Sequence, residues 1–179
     1  MSWWYGPPTW RAWLLWPASL VYGLVLRAWH ALFDLGLRTP VRVEGATILS
    51  VGNRVVGGSG KTPVVIHLAN EAVRLGHRVA VLTRGYGRTS KRALTLSGEA
   101  LETVGEAGDE PRLIARRCPG VTVFINADRV AAARAAAAQG FNFLLLDDGF
   151  QHRRLARDAG LLLEVGAGHD FLLPAGPSR

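Results

Sequence analysis

The stretch Ser50-Val51-Gly52-Asn53-Arg54-Val55-Val56-Gly57-Gly58-Ser59-Gly60-Lys61-Thr62-Pro63 decides how this chain folds. An apolar, β-rich run, Ala46–Val51, feeds a glycine-rich turn, and a helix is expected from about Lys61 to Leu75, closed by Gly76. Such a turn points successive backbone N–H groups inward at the positive end of a helix dipole, a cradle suited to phosphate oxygens. Lys61 is placed to reach terminal phosphates, and the Thr62 hydroxyl to ligate Mg²⁺. Val55 stands where the strict Walker pattern has its first glycine, yet the Gly-Gly-x-Gly-Lys-Thr core keeps its strand–turn–helix context. Lys61 also stands out by scarcity: among 21 basic residues only Lys61 and Lys91 are lysines. The expected nucleotide-binding set is Val55, Val56, Gly57, Gly58, Ser59, Gly60, Lys61 and Thr62.

Beyond this unit, strands and helices alternate. His77–Thr83 and Val121–Ile125 read as strands, and Arg92–Ser97 as a short peripheral one. Asp109-Glu110-Pro111 opens a helix, with Asp109 as its N-cap. Asn126 is expected to cap an alanine-rich helix that runs to Gln139 and stops at Gly140. Phe141–Leu146 is a buried-type strand, and Leu161–Val165 a last one. The pattern predicts an α/β fold, P-loop NTPase-like, with a mostly parallel sheet and helices on both faces.

A phosphate loop needs an acidic partner for its metal. The strand Phe141–Leu146 delivers Asp147 and Asp148 at its C-terminal end, where open parallel sheets bind ligands, and either could hold Mg²⁺. Residues 72–98 contain no acid and six basic residues, among them Arg84 and Arg88 in Arg84-Gly85-Tyr86-Gly87-Arg88. Guanidinium groups on such a flexible loop suit a bidentate phosphate clamp. His152 is the one histidine near the aspartate pair, and the five histidines show no metal-ligand spacing.

All six tryptophans lie between Trp3 and Trp29, and Ala12–Leu26 is an uncharged run of 15 residues broken early by Pro17. That is shorter than the ~20 apolar residues that span a bilayer. Aromatic rings beside an apolar helix, with Arg11, Arg27 and Arg38 around it, suit a helix lying in the headgroup region, so residues 1–40 are read as a membrane-associating segment and 41–179 as the nucleotide-binding domain. Packing of this helix on the domain's own core or on a subunit partner is the competing reading, ahead of a spanning or cleaved segment.

The composition agrees with a folded domain. The chain has 179 residues, 49% of them hydrophobic and 20% charged, which excludes a disordered sequence. One cysteine excludes a disulfide framework or a cysteine-rich zinc site. The net charge of +7 points to an anionic partner. No recognition helix or aromatic RNA motif accompanies it, so nucleic acid is not the expected partner.

Taken in order, the loop, Arg84-Gly85-Tyr86-Gly87-Arg88, Gly108-Asp109-Glu110-Pro111, Asp128-Arg129, Asp147-Asp148-Gly149-Phe150-Gln151-His152 and Leu173-Pro174-Ala175-Gly176-Pro177 resemble the tetraacyldisaccharide 4′-kinases of lipid A synthesis. The resemblance covers residues 10 to 179, the N-terminal half of such a kinase, and Ser178 stands where the family has leucine. It implies ATP and Mg²⁺ as cofactors and a tetraacyldisaccharide 1-phosphate, an anionic glycolipid, as the substrate that becomes lipid IVA. It implies a peripheral location on the cytoplasmic face of a Gram-negative inner membrane. Asp109 then matches the catalytic base, which a histidine outside this half orients, with Lys61 acting beside it. Arg84, Tyr86, Arg88, Glu110, Arg129, Gln151 and His152 match the substrate-binding positions. Two other readings stay open: a P-loop ATPase or GTPase of the metal-insertase or partitioning type, and a non-catalytic nucleotide-dependent membrane module.

Overall fold

The computed structural model describes residues 8–53, 60–86, 88, 92–98, 107–149, 152–164 and 171–178. Ten elements follow in order: α1 (Trp10–Asp34), β1 (Thr47–Asn53), α2 (Lys61–Arg74), β2 (Val79–Thr83), β3 (Leu94–Leu96), α3 (Asp109–Arg117), β4 (Thr122–Ile125), α4 (Arg129–Ala138), β5 (Phe143–Asp147) and β6 (Ala159–Leu163). The six strands form one sheet in the order β3-β4-β2-β5-β1-β6. Pairings β1–β5, β2–β5 and β2–β4 are parallel, and the edge strand β3 runs antiparallel to β4.

The central strands are apolar on both sides because both sides are covered. Every residue of β2 is buried, as are Leu144, Leu145 and Leu146 of β5. On one face, Ile48, Ala80, Leu82, Leu144 and Leu146 pack with Val130, Ala132, Ala133 and Ala136 of α4. The alanine run thus has a structural reason: small side chains let the helix sit close to the sheet. Val81, Val123 and Leu145 alternate with those residues and point to the opposite face, where α2 and α3 lie against the strands and each other. Since β1, β2, β4 and β5 run the same way, Val51, Thr83, Ile125 and Asp147 end on a common sheet edge.

The chain divides into two compact units, residues 41–52 with 60–161, and residues 1–40 with 53–59 and 162–179. In the latter, α1 runs through Pro17 instead of breaking there. An internal proline removes one main-chain donor, and the helix absorbs that loss early in its length. Ala12, Ser19 and Phe33 mark the buried side of α1, whereas Trp10, Trp13, Leu14, Val21, Leu24 and Val25 are more than half exposed at helical spacing. Ser19 Oγ donates to the Leu172 carbonyl at 2.8 Å and accepts the Ala175 N–H at 3.1 Å, and the Trp13 and Phe171 rings meet edge-on at 5.5 Å. No helix among the described residues is long and apolar enough to cross a membrane.

The last strand lies two residues earlier than expected, at Ala159–Leu163, and two helix starts differ in their capping. Asp128, not Asn126, caps α4: its Oδ1 accepts the Val130 and Ala131 N–H groups at 2.9 and 3.2 Å. Asn126 Oδ1 instead accepts the Asp128 N–H, forming the turn that delivers the cap. At α3 the cap position is Gly108, with φ +83°, and Asp109 is the first helical residue, its side chain left out of capping.

Candidate active site

The nucleotide-type loop ends in Gly60, which adopts φ +70° and starts α2 at Lys61. Val55, Val56, Gly57, Gly58, Ser59 and Gln151 lie outside the described residues. From α2, the Lys61 ammonium reaches toward the Asp148 carboxylate at 3.9 Å, and the Thr62 hydroxyl donates to Glu110 Oε1 at 2.5 Å. These two contacts tie the start of α2 to the end of β5 and to the start of α3. Asp109 and Glu110 line a cavity of about 500 Å³ with Thr62, Arg112, Leu113 and Arg116. Asp109 is exposed there.

Asp147 and Asp148 follow one another but occupy different environments. Asp147 is 3% exposed. Its Oδ2 accepts the Thr83 hydroxyl at 3.2 Å, and its Oδ1 is buried without a partner among the described residues. Burial, foremost, and the Glu110 carboxylate push the Asp147 carboxyl up to about 6, against the pull of Thr83 and Lys61. Asp148 takes φ +50°, a left-handed conformation that costs about 1 kcal/mol or more for a residue with a Cβ. That turn directs its carboxylate to Lys61. Gly149 follows because nothing larger fits: a Cβ would lie 2.3 Å from Leu146 Cδ2 and 2.6 Å from Ser50 Oγ.

Arg129 explains how the strained turn is held. The residue is 2% exposed, and its Nη2 donates to the Asp147 and Asp148 carbonyls at 3.0 and 3.3 Å. Through Nη2 the guanidinium clamps the main chain of the β5 turn. Arg88 Nη1 donates to the Arg92 carbonyl at 2.6 Å. Arg84 and Tyr86 are exposed. Gly85 between them takes φ +67°, and a Cβ would sit 2.5 Å from Ile125 Cγ2. The Tyr86 carbonyl lies 3.0 Å from where a Gly108 Cβ would be, so this loop abuts the residue preceding Asp109.

His152 is half buried, with Nε2 shielded and unpartnered among the described residues. Burial, followed by the positive charges of Arg129, Arg84 and Arg154, lowers it to about 4, so it is neutral near pH 7. Thr83 is a residue the sequence did not single out. Its hydroxyl accepts the Gly85 N–H at 3.4 Å and donates to Asp147, linking the arginine loop to the buried carboxylate. Arg112 and Arg116 were missed as well; their signal was helical spacing from Asp109.

The oxygen donors fit Mg²⁺: the Thr62 hydroxyl, the Glu110 and Asp148 carboxylates and the orphaned Asp147 Oδ1. No group of three His, Cys, Asp or Glu among the described residues is arranged as a cage for an ion. Mg²⁺ is commonly held by one or two carboxylates plus substrate phosphates and water.

Comparison with known proteins bears on all of this. The family model for LpxK, tetraacyldisaccharide-1-P 4′-kinase, matches residues 11–179. The chain is 46% identical over 175 residues to the tetraacyldisaccharide 4′-kinase of Anaeromyxobacter sp. (strain Fw109-5), covering 93% of this chain and 47% of that protein. It is 40% identical over 183 residues to the enzyme of that name from Haemophilus influenzae (strain 86-028NP), covering 100% and 54%. Among solved structures it is similar to LpxK from Aquifex aeolicus, crystallised with ATP, at a TM-score of 0.86 and 39% identity over 94% of this chain and 54% of that one. The chain spans about half the length of the relatives it matches. By sequence, by fold and by the family model, the chain belongs to the tetraacyldisaccharide-1-phosphate 4′-kinase family.

Proposed function

We propose that this chain is the nucleotide-binding half of a kinase that moves the γ-phosphate of ATP to the 4′-hydroxyl of a tetraacyldisaccharide 1-phosphate. One observation carries the reading: Thr62 bonds Glu110, which puts the phosphate-binding end of α2 beside Asp109 in a single cavity. Gly60, Lys61 and Thr62 would hold the phosphates, with Val55, Val56, Gly57, Gly58 and Ser59 completing the loop. Thr62 with Asp147 or Asp148 would hold Mg²⁺. An ion held there would neutralise negative charge that builds on the phosphates.

Asp109 accepts the hydroxyl proton as the acceptor oxygen bonds to the γ-phosphorus and the bond to the ADP oxygen breaks in line. Lys61 lowers the cost of negative charge on the transferring group. Arg84, Tyr86 and the neutral His152 would meet the acceptor, while Arg129 keeps the β5 turn in shape. The exposed apolar stripe of α1 would rest in the headgroup region of the inner membrane's cytoplasmic face, where a lipid acceptor is found.

The test is ATP turnover with and without the disaccharide lipid, alongside Lys61→Ala. Lipid-dependent phosphate transfer, lost together with nucleotide binding in Lys61→Ala, is the expected result. Acceptor-independent hydrolysis would point to an ATPase or GTPase, and nucleotide binding with no turnover to a membrane module.

A further inference from the structure

We infer that Arg112 and Arg116 form a second anion subsite, which takes a phosphate monoester carried by the acceptor; this deepens the kinase reading and rests on it. Asp109, Arg112, Leu113 and Arg116 lie at i, i+3, i+4 and i+7 along α3, so they share one face of the helix, and all four line the same cavity. Neither guanidinium has an ion-pair or hydrogen-bond partner among the described residues, and Arg112 Nε is shielded from solvent without one. The helix dipole accounts for Arg116 in the last turn, together with Arg117. It does not account for Arg112, which sits mid-helix and faces a like charge four residues on, a repulsive spacing. An anion between them resolves both problems at once.

Direction along α3 says whose anion it is. The Thr62–Glu110 bond marks where the nucleotide end of the site meets the helix. At 1.5 Å rise per residue, Arg112 and Arg116 lie roughly 4.5 and 10.5 Å further along the axis than Asp109. Asp109 and Glu110 both mark the first turn of α3, whereas Arg116 lies about 9 Å further along the axis than Glu110. A group held toward Arg116 therefore lies away from the phosphates at Thr62 and belongs to the molecule being phosphorylated. Leu113, 43% exposed between the two arginines, offers apolar surface to a sugar ring.

The experiment uses the whole chain without nucleotide and three probes: the deacylated disaccharide 1-phosphate, the same disaccharide with a free 1-hydroxyl, and inorganic phosphate. Binding is measured by calorimetry for the parent, Arg112→Gln, Arg116→Gln and the double variant, with melting curves to confirm folding. Each single substitution is expected to weaken the phosphorylated probe about 5- to 10-fold, as loss of a charge-assisted contact does, and to leave the hydroxyl probe unchanged. Lysine at both positions should restore part of the preference. Inorganic phosphate should compete with the phosphorylated probe in the parent, far more weakly than the probe binds. A parent that binds both disaccharides equally, or a double variant that keeps the parent's preference, overturns the subsite. So does phosphate binding as tight as the disaccharide's, which would mean a site for the free ion. ATP binding, titrated separately, tests the kinase reading independently, since none of these variants touches the phosphate loop.

Discussion

The end of β5 and the start of α3 each bring carboxylates to the same site, and they are built in opposite ways. At β5, Asp147 is buried, bonded to Thr83, and the turn after it is fixed by Arg129 from behind and by Gly149 packed on Leu146. At α3, Asp109 is exposed, does not cap its own helix and opens onto a cavity. The first construction suits a group whose position must not change, and its strain is afforded by surrounding contacts. The second suits a group that must collect a proton from something arriving from outside. Rigidity and availability are thus divided between neighbouring elements.

The largest break in this comparison is Asp109→Asn. Acceptor phosphorylation is expected to fall roughly 10²–10⁴-fold, the range for a lost general base, while ATP affinity stays within about twofold. Unchanged phosphorylation would return Asp109 to a local helical role. Next comes Gly149→Ala, which forces a methyl group into Leu146 and Ser50; a loss of about 1–3 kcal/mol in chemical denaturation is expected. The same change at exposed Gly98, where nothing lies within 4 Å, should cost far less.

Asp147→Asn should separate stability from function. Because the folded carboxyl titrates near 6 rather than at its ordinary 3.8, the native state binds this proton more tightly than the unfolded chain. Its contribution favours folding below about pH 4 and is lost as pH rises through about 6. In chelator, the asparagine variant is therefore expected to melt above the parent at pH 7, with the gap closing toward pH 4. Its Mg²⁺-dependent ATP binding should be weaker throughout. A gap of the opposite sign would show that Asp147 is stabilised as a carboxylate. The smallest effect expected is from Asp128→Ala, about 1 kcal/mol from the lost cap of α4, read as a lower melting temperature.

Much of the framework was legible in the sequence because it depends on local chemistry. Lys61-Thr62 after a glycine run, and Asp147-Asp148 after four apolar residues, announce a strand–turn–helix and a strand end without reference to any neighbour. The choice between Asn126 and Asp128 was harder, since both are good caps two residues apart and only the turn between them decides. Thr83 and Arg129 were beyond local reading. Their roles exist because β2 lies beside β5 and because α4 begins against the β5 turn, and both are facts of sheet order. Arg129 in particular matches a substrate-binding position by sequence, and only the fold reveals that it is buried against the carbonyls of the β5 turn. Arg112 and Arg116 needed the cavity wall before their spacing from Asp109 acquired meaning.

The Ser19 hydroxyl carries one more implication, about time. Its partner carbonyl at Leu172 is 153 residues further along the chain. At a synthesis rate of 5–20 residues per second, α1 waits roughly 8–30 s after emerging from the ribosome before that partner exists. Throughout that interval Ser19 and Trp13 lack the Leu172 carbonyl and the Phe171 ring that they meet in the folded chain. The fixed seating of α1 within its own unit is therefore among the last events in the making of the chain.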